Sequence, residues 1–224
     1  MQMKISDLSQ KLNETSTRLF SCNLSETTEK QAYAVVCTLL REMLAKKRKE
    51  FKESHGKNSG KQVYYMSMEF LVGTSLRNNL YNIGLEESFA KALKKEGFDI
   101  EKLYELDPDA GLGNGGLGRL ASCYMDSLTG LDYTATGFSI RYEFGIFKQK
   151  IIDGWQMEFP DNWLERGEVW LQPRKDESYE IKLGGTVSEW FDNGRFKTAQ
   201  TGYQSVVAVP YDMYISGYDC KAVN

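Results

Sequence analysis

Residues 4–20 place Ile5, Leu8, Leu12 and Leu19 at near-helical intervals. After a polar stretch from Ser21 to Lys30, the series Ala32, Val35, Val36, Leu39, Leu40 and Met43 repeats with a period of about 3.6 residues. The spacing predicts two helices. Ser25 or Thr27 is expected to cap the second, with Glu26 and Glu29 at its positive end. The run Lys46-Lys47-Arg48-Lys49 is expected near its C-terminal end, where cations oppose the helix dipole. Residues 55–60 (His-Gly-Lys-Asn-Ser-Gly) have loop composition, which makes His55 a solvated loop residue. Gln62 to Met68, rich in aromatics and bounded by turn residues, reads as a buried strand. Helices are expected at 74–83 and 86–96, broken at Gly84 and Gly97. From Tyr133 onward, alternating apolar and aromatic residues punctuated by glycine predict strands and hairpins. Asn193-Gly194 is a hairpin signal and Gly184-Gly185 offers a second tight turn.

Length divides this pattern little further, because 224 residues correspond to roughly 1.5 domains at about 150 residues each. A hydrophobic fraction of 41% and a charged fraction of 26% exclude a wholly disordered chain. A net charge of −3 excludes a chain-wide basic field for nucleic acid or anionic lipid, so any bound anion must be held locally. The basic run at 46–49 lacks interleaved aromatics and reads as a solvated helix face rather than a polyanion site. Cys22, Cys37, Cys123 and Cys220 are scattered, with one histidine beside them, which argues against a zinc site and for reduced thiols. The N-terminal residues are polar and no apolar run approaches the ~20 residues that span a bilayer, so a cytoplasmic location without membrane contact is expected.

The densest chemical signal lies between Asp107 and Arg119, where five of thirteen residues are glycine: Gly111, Gly113, Gly115, Gly116 and Gly118. An apolar helical face follows, comprising Leu117, Leu120, Ala121, Tyr124 and Leu128. A glycine loop feeding a helix start leaves main-chain N–H groups without intrahelical acceptors at the positive end of the dipole. That combination outlines an anion site. Two overlapping G-x-G-x-x-G matches, with Asp132 downstream, imitate a dinucleotide fingerprint. The fingerprint needs an apolar strand before its first glycine, however, and here Leu106-Asp107-Pro108-Asp109 stands instead. A Walker loop is excluded too, since Arg119-Leu120 occupies the place of Lys-Ser/Thr. Glycine used simply for close helix packing remains the alternative.

Four strings then carry a resemblance. Tyr64 to Phe70 (YYMSMEF), Asp109 to Ala121 (DAGLGNGGLGRLA), Ile140 to Phe147 (IRYEFGIF) and Gly154 to Glu158 (GWQME) resemble the N-terminal region of the α-glucan phosphorylases, the glycogen, starch and maltodextrin enzymes, in order and spacing. The resemblance runs from about Arg18 to the last residue. It implies an α/β fold: the N-terminal part of a two-domain GT-B-type glycosyltransferase, with a helical region leading into a Rossmann-like portion with added hairpins. The expected organisation is a helical region at 1–60 able to form a homodimer, a strand and glycine-loop helix at 61–132, and a strand- and hairpin-rich region at 133–224.

The implied activity is cleavage of terminal α-1,4-glucosidic bonds by inorganic phosphate, giving glucose 1-phosphate, with pyridoxal 5'-phosphate as cofactor. In this family the cofactor acts through its phosphate. By resemblance, Asn114, Gly115, Gly116 and Leu117 approach the phosphates and the glucosyl unit, with Gly115 and Gly116 also near the cofactor. Gly115 and Gly116 are expected to be glycine because a Cβ would hold the ligand off the backbone and because any positive φ would strain another residue. Glu69 can hydrogen-bond sugar hydroxyls or position a basic partner; an ion pair with Arg119 or Arg141 is the alternative. Arg119 reads as support for the first helical turn, and Trp155, Trp163, Trp170 and Trp190 as core or interface residues.

Two positions depart from the family's pattern: Thr74 follows Gly73 where arginine is frequent, and Leu71 replaces a tyrosine near the cofactor in animal members. The Schiff-base lysine of the family belongs to its second domain. Residues 1–224 are therefore expected to hold no catalytic residue, no metal and no covalent cofactor, and to be inactive by themselves. A non-catalytic carbohydrate-binding or dimerisation module is the competing expectation.

Overall fold

The computed structural model describes residues 4–55, 61–219 and 221–224. The chain divides into two compact units, one comprising residues 1–170 with 213–224 and the other Leu171–Asp212.

The first unit begins with α1 (Ile5–Phe20) and α2 (Glu29–His55). Leu8 and Leu12 of α1 and Val35, Val36 and Leu40 of α2 are fully buried, as the periodicity requires. Leu19 is 41% exposed, because Thr15 and Ser16 take the inner face of the last turns of α1. The cap of α2 is Thr28 rather than Ser25 or Thr27. Thr28 and Gln31 form a reciprocal box, the Gln31 amide donating to Thr28 Oγ1 (3.3 Å) and the Thr28 amide to Gln31 Oε1 (2.9 Å). Ser25 instead lies in a 3-10 turn, Leu24–Glu26, closed by its own Asn23/Glu26 capping box. Because α2 runs on to His55, the basic run sits inside the helix rather than at its end. Lys46 and Lys49 face Glu50 and Glu53 one turn later, each pair at 3.9 Å and exposed, which fits a solvated face. The backbone of His55 closes α2, and residues 56–60 of the expected loop lie outside the described residues.

Three short helices pack on this pair: α3 (Leu76–Asn82), α4 (Glu86–Lys95) and α5 (Ile100–Leu106). Gly84 (φ 67°) and Gly97 (φ 90°) adopt the left-handed conformation that ends α3 and α4. Their buried faces, including Leu76, Leu80, Phe89, Leu93 and Leu103, join α1 and α2 in one core. The α5 helix has no counterpart among the sequence expectations. It occupies the place before the glycines where a dinucleotide fold needs a strand, and Asp99 caps it through the Glu101 amide (3.1 Å).

At the centre of this core, Asp107 is 6% exposed and accepts four hydrogen bonds. Tyr33 Oη (2.7 Å) and Trp170 Nε1 (2.9 Å) donate to Oδ1, and the amides of Ser75 and Leu76 (both 2.7 Å) donate to Oδ2. A buried carboxylate is tolerable only when so fully satisfied. Burial holds the Tyr33 hydroxyl well above its ordinary pKa, with Cys37 and Asp107 adding to the effect. Burial also raises the Cys37 thiol. Cys22, Cys37 and Cys123 are free thiols, and Cys220 lies outside the described residues.

The strand expected to be buried is β1 (Val63–Met66), and only one of its faces is covered. Tyr64 is 63% and Met66 83% exposed, whereas Val63 and Tyr65 pack with Phe70, Ala121, Met125 and Ala135. The glycine-loop helix, α6 (Gly116–Gly130), leads into β2 (Ala135–Phe138), which pairs in parallel with β1 from Val63↔Ala135 to Met66↔Phe138. β1, α6 and β2 thus make a βαβ unit, with α3 to α5 inserted in the crossover. Asp132, spaced like a ribose-binding acid, is structural: Oδ1 accepts the amides of Lys221 (3.0 Å) and Ala222 (2.9 Å). A hairpin of β3 (Lys148–Ile152) and β4 (Trp155–Phe159) turns at Asp153-Gly154, an Asp-Gly signal inside the region expected to be strand. The turn Leu164–Gly167 (α7) follows it.

The second unit is all strand apart from one 3-10 turn. β7 (Thr186–Asp192) and β8 (Arg195–Thr201) form the hairpin expected from Asn193-Gly194, with φ of 51° and 77° at the two turn residues. Gly184 and Gly185 (φ 69° and 76°) make the tight turn out of β6 (Tyr179–Leu183). β6 pairs antiparallel with β9 (Gln204–Ala208), and β5 (Gln172–Pro173) with β10 (Tyr211–Asp212).

Candidate functional site

The chain between α5 and α6 folds back against the segment that follows β1, and main-chain hydrogen bonds hold the two together. Phe70 N donates to Leu112 O (2.8 Å), Leu71 N to Gly118 O (3.0 Å) and Ala110 N to Gly73 O (3.3 Å). Close packing, by backbone at Gly113 and by the Trp163 and Glu69 side chains at Gly111 and Gly118, accounts for three of the five glycines. A Cβ on Gly113 would lie 2.5 Å from Leu71 N, and one on Gly111 would lie 2.5 Å from Trp163 Cδ1. On Gly118 it would meet Glu69 Oε2 at 2.9 Å. Trp163, buried behind the loop, donates through Nε1 to Tyr142 O (3.2 Å), and Tyr142 Oη donates to Met68 O (3.0 Å).

Gly115 and Gly116 differ from these three. Nothing lies within 4 Å of a Cβ built on either, and both are exposed. Gly115 is the N-cap of α6 with extended backbone (φ −158°), and Gly116, the first helical residue, also lacks a positive φ. The expected conformational reason for these glycines is therefore absent. No neighbouring atom excludes a side chain there and the backbone is not in the left-handed region, so the main chain at both positions is uncovered. Among the described residues, the amides of Gly115, Gly116 and Leu117 find no acceptor, while Asn114 N donates to Glu69 Oε2 (3.2 Å). Bare N–H groups and the positive end of a 15-residue helix coincide on an uncovered surface.

Asn114, Gly115, Gly116, Leu117 and Glu69 are thus brought to one mouth, at the start of α6. Glu69 is half-buried and holds the Asn114 amide rather than pairing with Arg119, which donates from Nη1 to Leu71 O (3.3 Å). This bond places Arg119 as support of the first turn. The apolar face read along α6 divides differently from expectation. Gly118, Ala121, Ser122 and Met125 are buried, while Leu117 (79%), Leu120 (46%) and Tyr124 (50%) are exposed. Small residues in the first turns of α6 admit the segment 69–71, while further along Met125 and, as expected, Leu128 pack with Phe70. Trp163 and Trp170 are core residues, and Trp155 and Trp190 are exposed. No cluster able to hold a metal ion occurs among the described residues, and no helix is long and apolar enough to cross a membrane.

Leu112, Phe70 and Leu71 shape the mouth through main-chain atoms alone, so no side-chain signal in the sequence could have marked them. The partition of the glycines yields a direct check. Gly113→Ala is expected to lower the thermal midpoint by several degrees, since backbone atoms of Phe70 and Leu71 block the new methyl, whereas Gly116→Ala, at an open position with helical backbone, should not lower it. Thermal melts of the two variants decide it; equal midpoints would contradict the partition.

Comparison with known proteins bears on this mouth. The sequence profile described as carbohydrate phosphorylase matches residues 93–224. Glycogen phosphorylase of Bacillus subtilis is 41% identical over 192 residues, covering 86% of this chain and 24% of that protein. Glycogen phosphorylase of Chlamydia pneumoniae is 43% identical over 193 residues, covering 86% and 23%. The brain form from Homo sapiens is 43% identical over 164 residues, covering 73% and 19%. The chain spans about a quarter of the length of the curated relatives it matches.

Proposed function

The chain belongs to the carbohydrate phosphorylase family, and from that premise we propose that it forms one wall of a phosphorolytic active site. The reaction is cleavage of a terminal α-1,4-glucosidic bond by inorganic phosphate, yielding glucose 1-phosphate. The observation that carries this reading is the open mouth of α6, where Gly115, Gly116 and Leu117 present acceptor-free amides and no Cβ covers the two glycines. Each relative described is a glycogen phosphorylase, which supports a glucan as the substrate.

The mouth suits a phosphate group, because uncovered main chain at Gly115 and Gly116 stands at a helix start with acceptor-free N–H donors that a Cβ would crowd. Pyridoxal 5'-phosphate fits the same requirement; when bound, its phosphate supplies proton transfer to and from the substrate phosphate. Gly115 and Gly116 are the residues of this chain that would lie against it. Their task is to donate N–H hydrogen bonds to phosphate oxygens and to allow the sugar phosphate to reach the backbone. Fixed N–H donors directed at developing negative charge are worth about 10²–10³ in rate each. The helix dipole adds a partial positive charge at the same place without reorganisation. Asn114 is exposed beside them and offers its amide side chain to the glucosyl hydroxyls.

The opposite wall, including the lysine that binds the cofactor covalently, is assigned to a second domain of a GT-B arrangement. The polypeptide is placed in the cytoplasm as a homodimer. The test uses the polypeptide at the length of its relatives, incubated with α-1,4-glucan, phosphate and pyridoxal 5'-phosphate. Glucose 1-phosphate should form, and borohydride reduction followed by peptide mapping should mark a lysine outside residues 1–224. A stoichiometric label on a lysine within this stretch, or absence of glucose 1-phosphate, would overturn the proposal.

A further inference from the structure

We propose that Glu69 is a positioning residue: by accepting the Asn114 amide, its carboxylate fixes the glycine loop so that the open donors at the mouth of α6 begin at Gly115. This inference rests on the phosphorylase reading above. Residues 69–71 grip the loop at three points. Leu112 O accepts from Phe70 N (2.8 Å), Gly118 O accepts from Leu71 N (3.0 Å), and Glu69 Oε2 takes Asn114 N (3.2 Å) between them. The first two bonds pin the two ends of the loop. Of these three, the side-chain bond is the one that reaches Asn114, next to the N-cap Gly115, whose own carbonyl accepts Arg119 N (2.9 Å).

The carboxylate has little freedom to be elsewhere. Oε2 stands 2.9 Å and Cβ 3.0 Å from where a Cβ on Gly118 would be, so the side chain lies against the first turn of α6. Its own backbone is held by Ser67, whose Oγ accepts from Glu69 N (3.2 Å) and donates to Glu69 O (2.8 Å). Removing the carboxylate frees the Asn114 amide and leaves the segment Gly113–Asn114 free between Leu112, held by Phe70 N, and Gly115, whose carbonyl accepts Arg119 N (2.9 Å) as the N-cap of α6. The donors at Gly115 and Gly116 then lose their fixed direction. Positioning needs an acceptor oxygen, not a charge. A charge close to a phosphate site would repel the ligand, so the amide of glutamine should serve as well as the carboxylate.

The test compares Glu69→Ala and Glu69→Gln in the polypeptide at the length of its relatives, loaded with cofactor. The readouts are kcat, KM for phosphate, the thermal midpoint and hydrogen exchange of the segment 112–118. Glu69→Ala is expected to lower kcat by about 10²-fold, to change KM for phosphate less than about threefold, and to speed exchange in that segment, because misdirected donors fail in the transition state rather than in binding. Glu69→Gln should return kcat to within about fivefold of the parent and restore slow exchange. Glu69→Gln no better than Glu69→Ala overturns the proposal, as does wild-type kcat in Glu69→Ala. If Gly116→Val is impaired while Glu69→Ala is not, the positioning role alone falls. If Gly116→Val is fully active, the phosphate-mouth reading falls with it.

Discussion

Gly116→Val is expected to reduce phosphorolysis at least tenfold, and by up to about 10³-fold, while the fold survives. The structural half of this expectation follows from the open space around the position: nothing lies within 4 Å of a Cβ there, and the backbone is ordinary helix. Valine at the first helical position has its branched carbons in solvent and disturbs no packed neighbour, and its helix propensity is no worse than that of glycine, so little change in stability is expected. The chemical half follows from the same emptiness. The added branched side chain crowds the approach to the Gly116 and Leu117 amides, so that a phosphate oxygen is kept from coming within about 3 Å of them. Steady-state kinetics and a thermal melt on one preparation measure both halves. A variant with parent activity would remove the mouth of α6 from the reaction, and one that fails to fold would contradict the open surface.

Asp107→Ala is expected to destabilise the protein by about 3–5 kcal/mol, among the largest effects a single substitution produces. Four donors lose their acceptor together: Tyr33 Oη, Trp170 Nε1 and the amides of Ser75 and Leu76. A buried donor left unpaired costs about 1–3 kcal/mol, and water entering the space made by the substitution recovers part of that. The loss also uncaps α3, whose first amides end on Oδ2. Asp107→Asn should rescue little, since its NH2 group faces a pair of donors where an acceptor is needed. Denaturant midpoints of the variants provide the check, and a change below about 1 kcal/mol for Asp107→Ala would contradict the hub. Tyr33→Phe is the smaller control: it removes one donor and leaves Asp107 with three.

Asp107 also shows where the sequence was silent. In the chain it is a loop acid beside Pro108, and nothing local announces partners at Tyr33, Ser75 and Trp170, separated from it by tens of residues. Periodicity was informative where one face of an element packs on a long helix. Leu8, Leu12, Val36 and Leu40 fell inside because α1 and α2 bury their stripes against each other and against α4. The same rule misread α6. Leu117, Leu120 and Tyr124 follow helical spacing, yet the backbone of 69–71 approaches so closely that the inner face must be Gly118, Ala121 and Ser122. Hydrophobicity identified the stripe, and only tertiary contact reveals that small residues form the seam. β1 was misread for a related reason: aromatic content marks a strand but does not say how many of its faces are covered.

Turn chemistry was more legible, since Gly84, Gly97 and Asn193-Gly194 act through φ alone. Within the glycine loop, the residues that meet at the mouth were readable from their motif, but the division of labour was not. A Cβ would be blocked at Gly111, Gly113 and Gly118 and would meet open space at Gly115 and Gly116, and one run of letters hides the difference.

The most direct test is a crystal structure of the polypeptide at the length of its relatives with pyridoxal 5'-phosphate and inorganic phosphate bound. Phosphate oxygens should sit about 2.7–3.2 Å from the main-chain nitrogens of Gly115 and Gly116. Those two nitrogens bonded instead to protein acceptors, with every phosphate group held elsewhere, would contradict the assignment.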